Sequence, residues 1–105
     1  LDLASLTKAL KKIMEARNLD QEDISAGEIR REEYSIVECT ETIMEKIQIE
    51  KRFKFSSLLS PDTNKQEIIS FFLSMLELIR LGYIEALQDK SGSDILILGL
   101  NMEES

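Results

Sequence analysis

The sequence contains no histidine and no tryptophan, and it has one cysteine and one proline among its 105 residues. Without histidine the commonest general base and metal ligand is missing, and Cys39 has no imidazole to activate it as a nucleophile. The four glycines are scattered at positions 27, 82, 92 and 99, so they cannot form a phosphate-binding loop. These absences predict a protein that is not an enzyme and that uses no metal and no cofactor.

Neither a disulfide nor a membrane-crossing segment is predicted. Cys39 has no second cysteine to pair with and lies in an apolar helical pattern, which favours a buried structural thiol in a reducing cytosol. The richest apolar run, residues 68–79, is interrupted by polar residues and is shorter than the roughly 20 residues that span a bilayer. No leader pattern is present, and the start at Leu1 suggests a piece of a longer protein. We therefore expect a soluble, cytoplasmic protein.

The charge balance argues against nucleic acid as the main partner. The formal net charge is -7 and the isoelectric point is about 4.6. A polyphosphate backbone is repelled, on average, by a protein of this charge.

The first 18 residues are predicted to form an amphipathic helix from Leu3 to about Arg17, capped by Asp2. Apolar residues recur at spacings of three and four on one face, namely Leu3, Leu6, Leu10, Ile13 and Met14. Because this stripe is narrow, we assign it to a partner-binding surface. Two alternatives stay open: the stripe docks on its own domain, or it pairs with a second copy of the chain.

Residues 19–33 are predicted to be an acidic linker, since Ile24 and Ile29 are among the few apolar residues there. A compact domain over residues 34–99 follows, and residues 100–105 form a tail. The first helix of the compact domain is marked by a Ser35-x-x-Glu38 capping box, with Tyr34 placed to pack onto Cys39. This helix is predicted to end near Gln48.

The rest of the domain alternates short elements with one long helix. A strand is predicted at residues 52–55, followed by a single helical turn capped by Ser56 and a break at Pro61. A helix then runs from Thr63 or Asn64 to Leu81, with Gly82 as its left-handed cap. Residues 83–88 and 94–98 form a hairpin around the polar loop 89–93. This order predicts a mainly α, α+β fold: a winged helix-turn-helix with a two-stranded wing.

The outward face of the long helix is not the face of a DNA reader. A broad apolar arc, with Ile68, Phe72, Met75 and Leu78 among its residues, is predicted to face the core. The opposite face, Gln66, Ser70, Leu73, Ser74 and Glu77 with Arg80 at its margin, lacks the basic residues that clamp phosphates. We assign these six residues to a protein partner. The order of helices and strands is also compatible with one alternative, a transcriptional regulator that binds DNA through its winged helix.

Two stretches resemble the C-terminal region of segregation and condensation protein A, a bacterial kleisin family. They are Phe55-Ser56-Ser57-Leu58-Leu59 and the run from Gln66 to Gly82, of which Leu76-Glu77-Leu78-Ile79-Arg80-Leu81-Gly82 is the most specific piece. Gln88, Asp94-Ile95 and the leading segments Asp2-Leu3 and Leu6-Thr7-Lys8-Ala9 extend the resemblance. It departs at the loop Ser91-Gly92-Ser93, where the family usually carries Phe-Gly before Asp-Ile, and the family's N-terminal domain is absent from this chain.

The resemblance implies a role in chromosome partition, cell division and the cell cycle. It implies that residues 34–99 dock on the ATPase head of an SMC dimer, and our hypothesis is that the six residues assigned above make this contact. It further implies that the preceding region recruits segregation and condensation protein B and that the complex is cytoplasmic and associated with the nucleoid. No specific nucleic-acid, membrane or small-molecule partner is expected.

Overall fold

The protein is described here by a computed structural model that covers residues 2–18 and 36–100. In chain order the elements are α1 (Leu3–Ala16), α2 (Ile36–Glu50), β1 (Arg52–Lys54), a 3₁₀ turn (Phe55–Leu58), α3 (Lys65–Leu81), β2 (Ile84–Gln88) and β3 (Ile95–Gly99). The described residues form an α+β domain. The predicted linker 19–33, the capping residues Tyr34 and Ser35, and residues 101–105 of the predicted tail lie outside them.

The helix ends follow local capping chemistry. The carboxylate of Asp2 accepts from the Ser5 amide at 3.3 Å, as predicted, although α1 ends one residue earlier than expected. At α3, Asn64 and Glu67 form a reciprocal capping box with bonds of 2.8 and 3.0 Å. Gly82 closes α3 in the left-handed conformation, with φ of 86°, which confirms its predicted role.

The sheet has three strands: the predicted hairpin, β2 and β3, and the predicted short strand β1, which joins it. The strand order is β1-β3-β2 and both pairs are antiparallel, so β3 is the central strand. Phe53 pairs with Ile97 and Ala86 also pairs with Ile97. The sequence indicated β1 as a short strand but carried no signal for its pairing with β3, because that contact joins residues more than 40 positions apart.

The turn after β1 is stabilised differently from the prediction. Phe55 begins the 3₁₀ turn instead of ending the strand, and Ser56 does not cap it. The Ser56 hydroxyl instead donates to the Asp94 carboxylate at 2.5 Å, and the Ser56 amide bonds the same side chain at 3.2 Å. Asp94 therefore ties the start of β3 to this turn.

One hydrophobic core joins all three described helices to one face of the sheet. Side chains from α1, α2, α3 and the strands are buried together, with Leu6, Ile43, Phe55, Met75 and Ile97 almost fully excluded from solvent. In the part of the chain described, no helix combines the length and apolar character needed to cross a bilayer.

Candidate partner-binding face of the third helix

The predicted outward face of α3 is exposed at its centre. Leu73 is 49% exposed, which is high for a leucine in the middle of a helix, and Glu77 and Arg80 are also exposed. Gln66 and Ser70 are half-buried. The structure thus brings five of the six assigned residues to one accessible side of α3, with Leu73 as the apolar member.

Ser74 is the exception, because the prediction that it lies on the exposed face is wrong. Its side chain is fully buried, and its hydroxyl donates to the Ile36 carbonyl at 3.2 Å. The start of α2 lies against α3 at this point, which covers a position that helical periodicity alone places outside. Ser74 is therefore a packing residue between α2 and α3, and its small side chain allows the two helices to approach closely.

The two charged residues of the face neutralise each other. The Arg80 guanidinium donates from Nε to Oε1 of Glu77 at 3.2 Å, one helical turn away. The bond to Arg80 lowers the pKa of the Glu77 carboxyl, and the same pair raises the pKa of Arg80. Because the Arg80 charge is already matched, the face offers an apolar centre with a balanced ion pair, which suits a protein surface better than a phosphate backbone.

Two apolar residues at the start of α2 extend this surface and were missed by the sequence analysis. Val37 is 64% exposed and Ile36 is also exposed, and the bond from Ser74 places Ile36 beside the turn of α3 that carries Leu73. Both residues are apolar and adjacent at the first turn of α2, ahead of the buried positions Cys39 and Ile43. The only signal in the sequence was that Val37 lies outside the predicted apolar face of this helix. We call Ile36, Val37, Leu73, Glu77 and Arg80 the helical face.

The stripe on α1, which was assigned to a partner, packs on the chain's own core. Leu6 and Ile13 are buried there together with Ala9, and Leu10 and Met14 are partly buried against the same cluster. Leu3 alone among the five residues of the stripe is largely exposed. In this arrangement a partner could reach Leu6 and Ile13 only if α1 left the core, so the structure adopts the alternative in which the stripe docks on its own domain.

The atypical loop between β2 and β3 is closed by its own polar groups. Asp89 accepts from the Gly92 amide at 3.0 Å and from the Ser91 hydroxyl at 2.8 Å, and these bonds lower the pKa of Asp89, the one from Ser91 most. Ser91 also bonds Ser93 at 2.7 Å between hydroxyl oxygens. The hydroxyl groups of Ser91 and Ser93 therefore close the loop tip by hydrogen bonds, without an aromatic residue.

Comparison with known proteins confirms the predicted resemblance. The chain is 34% identical over 100 residues, or 90% of its length, to segregation and condensation protein A from Halothermothrix orenii. Proteins of the same name from Thermoanaerobacter and Macrococcus caseolyticus are 32% and 27% identical over 86% and 92% of the chain. The matched segment is the C-terminal part of these relatives, and the chain spans between 36% and 41% of their lengths. No family model and no solved structure matches.

Proposed function

We propose that this chain, a relative of the C-terminal part of segregation and condensation protein A, is the C-terminal module of a non-catalytic kleisin subunit. In this proposal the domain is a winged helix that docks on the ATPase head of an SMC protein. The preceding region recruits segregation and condensation protein B, and the assembly acts in chromosome condensation and segregation at the nucleoid, in the cytoplasm. ATP hydrolysis belongs to the SMC partner.

The helical face is the observation that supports protein binding. Leu73, Ile36 and Val37 expose apolar surface on a domain whose core is already complete, while the nearby Glu77 and Arg80 satisfy each other. Apolar side chains in a polar rim are typical of protein interfaces. In this proposal the contact with the SMC head is made by one side of α3, through Gln66, Ser70, Leu73, Glu77 and Arg80.

The test is a charge placed at the centre of the face. Leu73→Lys removes an exposed leucine from the free domain at little cost to folding, but at an interface it loses roughly 1.5–3 kcal/mol of buried apolar surface. Titration calorimetry with a purified SMC ATPase head should show that Leu73→Lys weakens binding by about tenfold to a hundredfold.

Ile49→Lys is the matched control, because Ile49 is 80% exposed and lies at the other end of α2. It introduces the same charge and should leave the affinity for the SMC head unchanged. Equal binding by Leu73→Lys and by the parent chain would exclude the helical face as the docking surface.

A further inference from the structure

The central strand is apolar on both of its faces. Ile95 and Ile97 are fully buried against the helices, while Leu96 and Leu98 project from the opposite side of the sheet and are half-buried. In an antiparallel sheet with one solvated face, apolar residues normally alternate with polar ones. A strand with leucines at the solvent-side positions is typical of a sheet that is covered on both sides.

The neighbouring strand continues this apolar surface. Leu87 is the direct cross-strand partner of Leu96, so both side chains lie on the same face, and Leu87 is 46% exposed. Tyr83, 47% exposed, directly precedes β2, and its carbonyl accepts from the Leu100 amide at 2.9 Å. We call Tyr83, Leu87, Leu96 and Leu98 the outer sheet face. A hollow of about 520 Å³ opens between Leu87, Leu96 and the loop after β2.

The charges around the outer sheet face differ from those of the domain as a whole. Residues 36–100 contain ten acidic and seven basic residues. Yet the exposed residues of β1 that flank the leucines are both basic, with Arg52 paired to Leu98 and Lys54 to Leu96. On the other side Glu85 is paired to Leu98. The β1 side of the outer sheet face therefore carries two basic residues, of which Lys54 also pairs with the Asp89 carboxylate at 3.5 Å while its side chain stays 58% exposed.

We propose that the outer sheet face binds an amphipathic helix of a partner protein, with acidic residues along the flank that meets β1. A sheet buries an apolar face against a helix or a second sheet. The three strands are separated by about 4.8 Å each, so the outermost two lie roughly 10 Å apart, which matches the diameter of one helix. Complementarity to Arg52 selects the acidic flank, and Lys54 adds to it because its long, partly exposed pair with Asp89 is weak enough to be exchanged. This surface lies on the opposite side of the sheet from the helices and does not depend on docking through α3.

The test uses a synthetic peptide as the probe. An 18-residue helical peptide would carry leucines at i, i+3, i+4 and i+7 and glutamates on one flank, and a matched peptide would carry lysines in their place. Titration followed by two-dimensional amide NMR of the full chain should shift residues 52–54, 85–88 and 95–98 with the glutamate peptide. The lysine peptide should bind about threefold to tenfold more weakly, because exposed ion pairs contribute modestly.

Two variants test whether the peptide binds at the outer sheet face and not at the helical face. The double variant Arg52→Glu, Lys54→Gln should reverse the preference between the two peptides, whereas Leu73→Lys on the helical face should change neither affinity. Because β1 is short, the spectrum of the free double variant first establishes that the sheet is intact.

Three outcomes would overturn the proposal. The first is no shift at the outer sheet face with either peptide at a concentration of about 1 mM, which would exclude even weak binding. The second is equal affinity for both peptides, because binding would then be hydrophobic and independent of the charge on the peptide. The third is a concentration-dependent shift of these residues without peptide, which would assign the face to a second copy of the chain.

Discussion

Leu73 and Ser74 are consecutive residues of α3 with opposite surroundings. Leu73 is exposed on the helical face, while Ser74 is buried where α2 meets α3 and bonds the Ile36 carbonyl. Their side chains point about 100° apart around the helix. The contact with α2 therefore covers Ser74 and leaves Leu73 exposed. A residue on a helix is thus assigned to a face only when its neighbouring elements are known.

The same substitution at these two positions should give opposite results. Ser74→Lys overpacks the α2–α3 contact, which typically costs about 1–3 kcal/mol, and adds a positive charge near the N-terminus of α2, where the helix dipole opposes it. We expect a loss of at least about 2 kcal/mol in the free energy of unfolding, measured by urea denaturation. Leu73→Lys should lose about 1 kcal/mol or less, because Leu73 is half exposed. Equal losses would place Ser74 on the surface.

Cys39 is a second residue whose chemistry is set by its burial. Desolvation raises the pKa of its thiol to about 11, although the Ser74 side chain partly opposes this. Only the thiolate reacts with alkylating reagents. In the folded chain at pH 8 we therefore expect Cys39 to be alkylated far more slowly than in the urea-unfolded chain, as measured by mass spectrometry. Rapid labelling without denaturant would show that the α2–α3 contact opens readily.

The raised pKa of Cys39 also predicts the sign of a pH effect. A thiol whose pKa is higher in the folded state stabilises the fold while it is protonated, so its contribution is complete below pH 9 and is lost as the pH rises from 9 towards 11. Cys39→Ala should show a smaller loss of stability across this window than the parent chain, measured by urea denaturation at pH 8.5 and pH 10.5. A parallel decline in both proteins would assign the effect to other groups.

Among the helices and strands, the features that the sequence predicted correctly are those set by interactions between residues close in the chain. Asp2, the restart of a helix at Asn64 and the cap at Gly82 all act through neighbours within a few positions, and the structure confirms each of them. The pairing of β1 with β3 and the burial of Ser74 were missed, because both depend on contacts between residues distant in the chain. The candidate site was predicted in part. Helical periodicity placed Leu73, Glu77 and Arg80 on one side of α3, whereas the Glu77–Arg80 ion pair and the exposure of Ile36 and Val37 beside α3 came from the structure.

The packing of α1 against the core makes a prediction about its buried and exposed leucines. If α1 packs in the core, Leu6→Ala removes a side chain that is 1% exposed and should cost about 2–5 kcal/mol of unfolding free energy. Leu3→Ala lies on the same helix at an exposed position and should cost far less. Both losses are measured by thermal or urea unfolding of the full chain. A negligible effect of Leu6→Ala would mean that α1 is detached in solution and that its stripe is available to a partner or to a second copy.

At the scale of the whole molecule, the distribution of charge decides between a protein-binding domain and the DNA-binding alternative. Residues 2–18 carry four basic and two acidic residues, and Lys8, Lys11 and Lys12 lie exposed on the outer side of α1. The remaining residues are more acidic than basic, and α3 presents Leu73 with the Glu77–Arg80 pair where a DNA reader would present cations. Positive charge therefore lies mainly outside the element that would enter a groove.

This distribution predicts no specific duplex binding. We expect no retardation of duplex DNA in gel-shift assays at about 50 mM salt, since few phosphate contacts are available and their strength falls steeply with added salt. If weak retardation appears, Lys8→Ala, Lys11→Ala and Lys12→Ala together should abolish it, while Gln66→Ala should have no effect. Sequence-dependent binding that is lost on changing Gln66 or Ser70 would instead mean that α3 reads a groove, because base contacts and not phosphate contacts carry sequence information. The domain would then be a regulator, and the apolar helical face would need another explanation.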